Sequence, residues 1–245
     1  LRYKSHKKIS LQEVVFIDPA RIVCDETGQW HSVYMERAIE LFDRNHVSVL
    51  SRTHEPKIHF DASIDKLPRE YPFPDRLEIE MLSEISLVAH KVLRTKTWTE
   101  NERKHILSAL HIFYEDFRFY YNLLNHEPVK SVVFISHYHN EGLIAALKVL
   151  NIRGVELQHG LISGNDLYYQ YSPTFRAAVR DAFFPDTICV YGNYWKDQLL
   201  KGCEFESSQI IIAGDYQWQP ESSPALIQPF NQVLICAQKN MHDEY

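Results

Sequence analysis

Three polar segments of this chain each follow a short apolar run. SHYHNEG (136–142) follows the apolar run 131–135, ELQHGLISGND (156–166) continues the run GVELQ, and YGNYW (191–195) follows TICV. In an open parallel α/β sheet, ligands bind beyond the carboxyl ends of the strands, where loops and helix N-termini converge. The sequence therefore predicts a binding site at one sheet edge, built from segments of this kind.

His159 is the first candidate for catalysis. It stands in a QHG turn directly after a predicted strand, where Gly160 permits close approach of the backbone to a ligand. Histidine titrates near neutral pH and therefore suits proton transfer. Glu156 and Gln158, on one side of the strand, are predicted substrate contacts, with a buried hydrogen-bonded carboxylate as the alternative for Glu156. Asn165, in the polar loop that follows, is a further predicted contact.

His137 and His139 form an HxH pair at a strand end, a spacing with which several zinc sites begin. A site of the metallo-β-lactamase type needs a further Asp and His where this chain has Glu141 and Gly142, so we expect no tightly bound transition metal. One histidine then caps the next helix or bonds a buried carbonyl, or the pair takes part in binding or proton transfer. His137 and Glu141 are the secondary catalytic candidates, and His139 and Asn140 are predicted substrate contacts.

Asp18 ends the first predicted strand and is a further candidate substrate contact. An Asp-Pro turn explains the same residue equally well, because Asp18 is followed by Pro19.

The apolar periodicity predicts alternating strands and helices. Short connections between such elements require a parallel sheet with crossover helices, so we expect an α/β protein with a Rossmann-like parallel sheet flanked by helices. Thr99 is the predicted N-cap of the longest helix, with Glu102 as its capping partner. Residues 131–136, 154–158, 187–191 and 209–213 should be neighbouring parallel strands. The other predicted strands are 14–17 and 47–50, the predicted helices are 32–42, 76–94, 100–124, 141–150 and 194–200, and 57–74 is a predicted loop.

Composition excludes several classes of function. The 245 residues are 45% hydrophobic and carry a net charge of −6, which predicts a folded protein and no nucleic-acid partner. The four cysteines show no CxxC spacing and are predicted to be reduced thiols. The chain lacks an apolar run of about 20 residues and an apolar signal sequence, so we expect a cytoplasmic protein. The basic start, RYKSHKK, is either a solvated terminus or a contact with a membrane surface.

Residues 128–214 resemble a known family. The run ELQHGLI, the segment FPDTICVYGNYWKDQL and the strand IIIAGD are similar to the N-terminal half of GT-B glycosyltransferases of bacterial capsule and O-antigen assembly. In that family a strand ending in E-x-Q-H-G precedes a P-D-x-x-x-x-x-G-x-x-W segment and a strand that ends in glycine.

The resemblance implies an enzyme with two Rossmann-like domains across a cleft, the first binding the acceptor and the second the nucleotide sugar. We then expect residues 1–216 to form the acceptor-side domain, with a long helical insertion at 76–125. Residues 217–230 would be a linker, and residues 231–245 would be the first strand of a truncated nucleotide-sugar-binding domain. Donor binding would require the rest of that domain.

The implied activity is transfer of a sugar from a nucleotide sugar to a growing surface polysaccharide. The partners would be the nucleotide sugar and a glycan or lipid-linked glycan, at the cytoplasmic face of the inner membrane. No cofactor and no metal are expected beyond the nucleotide-sugar donor. Two alternatives remain open: a non-catalytic module that binds a glycan or nucleotide, and a nucleotide-sugar epimerase of the same layout.

Overall fold

The computed structural model describes most of the chain between residues 10 and 214. The described residues are 10–19, 22–24, 27–52, 60–64, 67, 76, 80–81, 83–84, 99–163, 168–170, 182–202 and 205–214. Asn165, most of the predicted helix 76–94, the predicted linker and the predicted strand at 231–245 lie outside these residues.

Within the described residues, seven parallel strands form one sheet in the order β5-β4-β1-β6-β7-β8-β9. The predicted adjacency of the last four strands is confirmed, because β6 pairs with β7, β7 with β8 and β8 with β9, all in parallel. A separate antiparallel ribbon joins β2 and β3. The strands are β1 (Val14–Asp18), β2 (Ile22–Cys24), β3 (Trp30–Ser32), β4 (Val47–Ser51), β5 (Ala62–Ser63), β6 (Ser131–Phe134), β7 (Arg153–Leu157), β8 (Thr187–Val190) and β9 (Ile210–Ile212).

The crossover helices lie on both faces of the sheet. They are α1 (Glu36–Glu40), α2 (Glu100–Leu124), α3 (Glu141–Leu150) and α4 (Asn193–Gly202). The predicted capping box of α2 is confirmed: the Glu102 N–H donates to Thr99 Oγ1 at 3.2 Å, and the Thr99 N–H donates to Glu102 Oε2 at 2.8 Å. None of the described helices is both long and apolar enough to cross a membrane.

Alternate residues of β6 supply the cores of the two faces, as expected for a strand buried on both sides. Val132 and Phe134 pack with α2 and α3, whereas Val133 packs with the residues of α1. A third cluster, which includes Leu199 of α4, covers the far end of the sheet. Cys24 and Cys189 are free thiols, as predicted, and the other two cysteines lie outside the described residues.

Two predictions of local structure were wrong. The helix predicted over 32–42 spans only Glu36–Glu40, because Ser32 still pairs with β2 and its hydroxyl accepts the Met35 N–H at 3.4 Å, which favours a turn before the helix. The predicted loop 57–74 contains the two-residue strand β5, which is too short to produce a periodic apolar pattern.

Gly142 sets the distance between α2 and α3. A Cβ atom at this position would lie 2.7 Å from Asp116 Cβ, 2.7 Å from the Phe117 nitrogen and 2.9 Å from the Phe113 carbonyl oxygen. Two of these atoms belong to the α2 backbone, which cannot move aside without displacing the helix. The first turn of α3 therefore has its position at the sheet edge only because residue 142 has no side chain.

We expect Gly142→Ala to lower the free energy of unfolding by about 1–3 kcal/mol, as overpacking does. The gain of about 1 kcal/mol from Ala over Gly in a helix would offset only part of this loss. Gly160→Ala is the matched control, since a Cβ there meets no atom within 4 Å, and it should change stability by less than about 0.5 kcal/mol. Urea denaturation of the two variants compares them, and equal stabilities would contradict the close helix contact.

Candidate functional site

Ser136 turns the chain at the carboxyl end of β6. Its backbone is left-handed, with φ 59° and ψ 75°, which is unfavourable for a residue with a side chain. Asn140 stabilises this turn, because its Nδ2 donates to the carbonyl oxygens of Ile135 at 2.9 Å and Ser136 at 3.0 Å. Arg52, after β4, donates from Nη2 to Asn140 Oδ1 at 2.9 Å. The predicted contact Asn140 thus holds the turn that aims the Ser136 hydroxyl.

His159 lies beside this turn, as its position after the neighbouring strand predicted. Its Nε2 is 3.1 Å from Ser136 Oγ and 3.0 Å from Tyr138 Oη, and its ring is half-buried. The ring of Tyr34 meets it edge-on, with 6.0 Å between ring centroids. One imidazole nitrogen and two hydroxyl groups therefore converge at the carboxyl edge of the sheet, where ligands of this fold bind.

His137 points in the opposite direction, into the protein. Its Nδ1 lies 2.8 Å from Glu156 Oε2, and its Nε2 lies 2.9 Å from the Tyr168 carbonyl oxygen. The side chains of His137 and Glu156 are 2% and 0% exposed. The second oxygen of Glu156 accepts from the Tyr169 hydroxyl at 2.7 Å and from the backbone N–H of His137 at 3.4 Å.

This geometry favours an imidazolium at His137. When Glu156 is ionised, its carboxylate and the Tyr168 carbonyl oxygen only accept hydrogen bonds, so both ring nitrogens of His137 carry hydrogen. Burial by itself would lower the pKa of His137, but the charge and hydrogen bond of Glu156 and the bond to Tyr168 hold that pKa above its ordinary value. Burial would raise the pKa of Glu156, but His137 and the Tyr169 hydroxyl keep that pKa below its ordinary value.

Aromatic rings enclose the buried imidazolium. The ring centroid of His137 is 4.7 Å from that of Phe184, 4.9 Å from that of Tyr169 and 6.4 Å from that of Phe205. An aromatic ring attracts a cation over its face within about 6 Å, a range that includes Phe184 and Tyr169 but not Phe205. Since both ring nitrogens of His137 bond protein oxygens, a metal would have to displace one of them. The part of the chain that the structure describes groups no three His, Cys, Asp or Glu residues around a metal position.

Gln158 connects the ends of β7 and β8 through hydrogen bonds. Its Oε1 accepts the Tyr191 N–H at 2.9 Å, and its Nε2 donates to the Gly160 carbonyl oxygen at 2.7 Å. Glu156 and Gln158 are both predicted substrate contacts, but their side chains are fully buried and bonded to protein groups. For Glu156 this is the alternative interpretation, a buried hydrogen-bonded carboxylate.

The backbone at Gly160 is not left-handed, and a Cβ there would meet no protein atom within 4 Å. The fold itself therefore does not require the glycine of QHG.

The remaining predicted site residues lie around the same edge. Asp18 is buried at the end of β1, opposite Ser51 of β4. His139 and Glu141 are exposed at the start of α3. The pKa of Glu141 is raised although its side chain is exposed by surface area, because nearby protein atoms desolvate the carboxylate more than a hydrogen bond from its own backbone and the nearby histidines stabilise it.

Sequence reasoning missed Ser136, Arg52 and the tyrosines of the site. Tyr138 is hidden inside the SHYH run, and Tyr168 follows a polar loop without periodicity. The signal that could have identified Tyr138 is its position between two histidines at a strand end.

We expect Glu156→Gln to lower the free energy of unfolding by about 3–5 kcal/mol, because it removes the counter-charge of a buried cation. The loss should be greatest between about pH 4.5 and 6.5, the ordinary pKa values of the two groups. It should shrink as rising pH passes the raised pKa of His137, and as falling pH passes the lowered pKa of Glu156.

Glu36→Gln is the control for this measurement. His31 Nδ1 is also 2.8 Å from Glu36 Oε2, but the two side chains are 29% and 31% exposed. The loss in the free energy of unfolding should therefore stay below about 1 kcal/mol. Chemical denaturation at several pH values compares the variants. An equally small, pH-independent loss in both would contradict the charged pair at His137.

Comparisons with known proteins identify no family for this chain. No protein-family model matches it, and no curated protein matches it. Among solved structures, the UDP-N-acetylglucosamine 2-epimerase from Rickettsia bellii is similar, with a TM-score of 0.39 and 12% identity over 84% of this chain. The match covers 45% of that enzyme, so this chain corresponds to less than half of its length.

Proposed function

We propose that this chain is the acceptor-side domain of a GT-B glycosyltransferase that extends a bacterial surface polysaccharide. The observation that carries the proposal is the position of His159. Its Nε2 lies within hydrogen-bond distance of Ser136 and Tyr138 at the carboxyl edge of a parallel sheet, inside the ELQHG run on which the resemblance rests.

The proposed reaction requires a base for the acceptor. A hydroxyl oxygen of the acceptor forms a bond to the anomeric carbon of the donor sugar, the bond from that carbon to the nucleoside phosphate breaks, and the hydroxyl proton leaves. His159 takes this proton. A hydroxyl of Ser136 or Tyr138 can donate to Nε2 of the neutral ring or accept from Nε2–H of the protonated ring, so Nε2 keeps a hydrogen bond in both charge states.

The other candidates have supporting roles in this proposal. His137 is not the base, because it is buried and both of its ring nitrogens are bonded; it positions the segment at Tyr168. Asn140 fixes the turn at Ser136. His139 and Glu141, which are exposed beside the site, would contact acceptor hydroxyls.

The proposal includes the partners and setting that the resemblance implies. The donor is a nucleotide sugar held by a second domain, without a metal or other cofactor, and the acceptor is a glycan or lipid-linked glycan. The reaction would take place at the cytoplasmic face of the inner membrane. A non-catalytic glycan-binding module is the second candidate, because a ring nitrogen held between two protein hydroxyls also suits a fixed hydrogen-bonding surface.

We expect His159→Ala in the intact natural protein to lower turnover by about 10²-fold or more, with the fold preserved. Turnover is measured as nucleotide released from UDP-, GDP- and CMP-sugars in the presence of lipid-linked glycans extracted from bacterial membranes. His46→Ala is the matched control and should keep full activity, since His46 is exposed and precedes β4 at the opposite edge of the sheet.

Two results would overturn the proposed activity, and a third would overturn only the role of His159. Sugar isomerisation without an acceptor would identify a nucleotide-sugar epimerase. Glycan binding without turnover would identify a binding module. Loss of thermal stability in His159→Ala, with activity per folded molecule unchanged, would give the histidine a structural role alone.

A further inference from the structure

An exposed aromatic ring lies beside His159. Tyr168 is 51% exposed, and its ring stacks on that of Tyr138 with 4.2 Å between centroids and 21° between planes. Tyr138 covers one face of the Tyr168 ring, and about half of the residue's surface stays exposed. By contrast, the next residue, Tyr169, is 2% exposed. A large, half-exposed ring thus lies next to a buried one.

The buried ion pair fixes this ring in place. The carbonyl oxygen of Tyr168 accepts from His137 Nε2 at 2.9 Å, and the hydroxyl of Tyr169 donates to Glu156 Oε1 at 2.7 Å. Successive residues are therefore bonded to the two members of one buried charge pair. An aromatic surface that is already ordered loses little entropy when a ligand binds to it.

The two stacked tyrosines lie next to His159, the proposed base. The Tyr138 hydroxyl is 3.0 Å from His159 Nε2, and its ring carries Tyr168 on one face. The ring of His139 lies beside both tyrosines, with centroid distances of 4.6 Å and 6.3 Å. The surface is therefore aromatic on its exposed face and lined by hydrogen-bonding nitrogens and hydroxyls at its edges.

We infer that Tyr168 is the platform on which a pyranose ring of the acceptor stacks, close enough to His159 for one sugar hydroxyl to reach it. A pyranose has an apolar face of C–H groups and a polar rim of hydroxyls. That face would cover the aromatic ring, and the rim would meet the histidines and hydroxyls around it. This inference rests on the proposed function and specifies its acceptor as a ring sugar bound through its C–H face.

The test is saturation-transfer difference NMR on the intact protein. The probes are methyl pyranosides of glucose, galactose, mannose, rhamnose and N-acetylglucosamine, with open-chain sorbitol and uridine for comparison. We expect at least one pyranoside to receive saturation, strongest on the protons of one C–H face. Sorbitol and uridine should receive none that depends on Tyr168.

Variants assign the binding to the platform. Tyr168→Ala should weaken pyranoside binding about tenfold, whereas Tyr168→Phe, which keeps the ring, should bind like the natural protein. Phe42→Ala is the matched control, because Phe42 is 42% exposed between α1 and the amino end of β4, at the opposite edge of the sheet, and it should leave binding unchanged. Binding of no pyranoside, equal binding by Tyr168→Ala, or a Tyr168-dependent signal from uridine alone would each overturn the inference.

The transfer assay separates this inference from the proposed function. If His159→Ala abolishes transfer but Tyr168→Ala leaves the KM for the acceptor unchanged, the platform is wrong and the proposed function stands. If Tyr168→Ala loses pyranoside binding while the intact protein transfers no sugar, the platform stands and the proposed function is wrong.

Discussion

The buried ion pair between His137 and Glu156 is the interaction on which the candidate site depends. Removing two charges from water costs several kcal/mol for each ion, so such a pair persists only where hydrogen bonds satisfy all of its polar atoms. Here each ring nitrogen has an acceptor, and each carboxylate oxygen has a donor. The pair joins the ends of β6 and β7 and holds Tyr168 and Tyr169 against them. The attraction between the two charges and these hydrogen bonds offset the cost of burial, and the pair orders one edge of the sheet.

The turn after β6 divides consecutive residues between the interior and the site. Ser136 and Tyr138 meet His159, whereas His137, between them, enters the core. The left-handed backbone at Ser136 produces this division, and Asn140 compensates for its strain through two hydrogen bonds to backbone carbonyls. Gly142 then lets α3 begin close to α2, which fixes where the turn must end. The backbone conformation at Ser136, the charge at His137 and the packing at Gly142 are thus coupled within residues 136–142.

The sequence predicts the fold of this chain better than its site. Apolar runs such as 131–136 indicated the parallel strands because their burial on both faces leaves a continuous signal, and Thr99 indicated a helix start through a local capping rule. The two histidines of HxH look alike in the sequence, yet one is buried and the other exposed. What distinguishes them is Glu156, which reaches His137 only through the β6–β7 register, where Phe134 pairs with Glu156. The exposed ring of Tyr168 depends in turn on this pair, so no local pattern could reveal it.

The charge state of His137 tests this account most directly. Long-range ¹H–¹⁵N correlation NMR reports whether each ring nitrogen of a histidine carries hydrogen, and His137→Gln assigns the signals. At about pH 7, where an ordinary histidine is mostly neutral, we expect both nitrogens of His137 to be protonated. A nitrogen without hydrogen at that pH would mean a neutral ring. It would contradict the buried ion pair as the support of Tyr168 and of the site beside it.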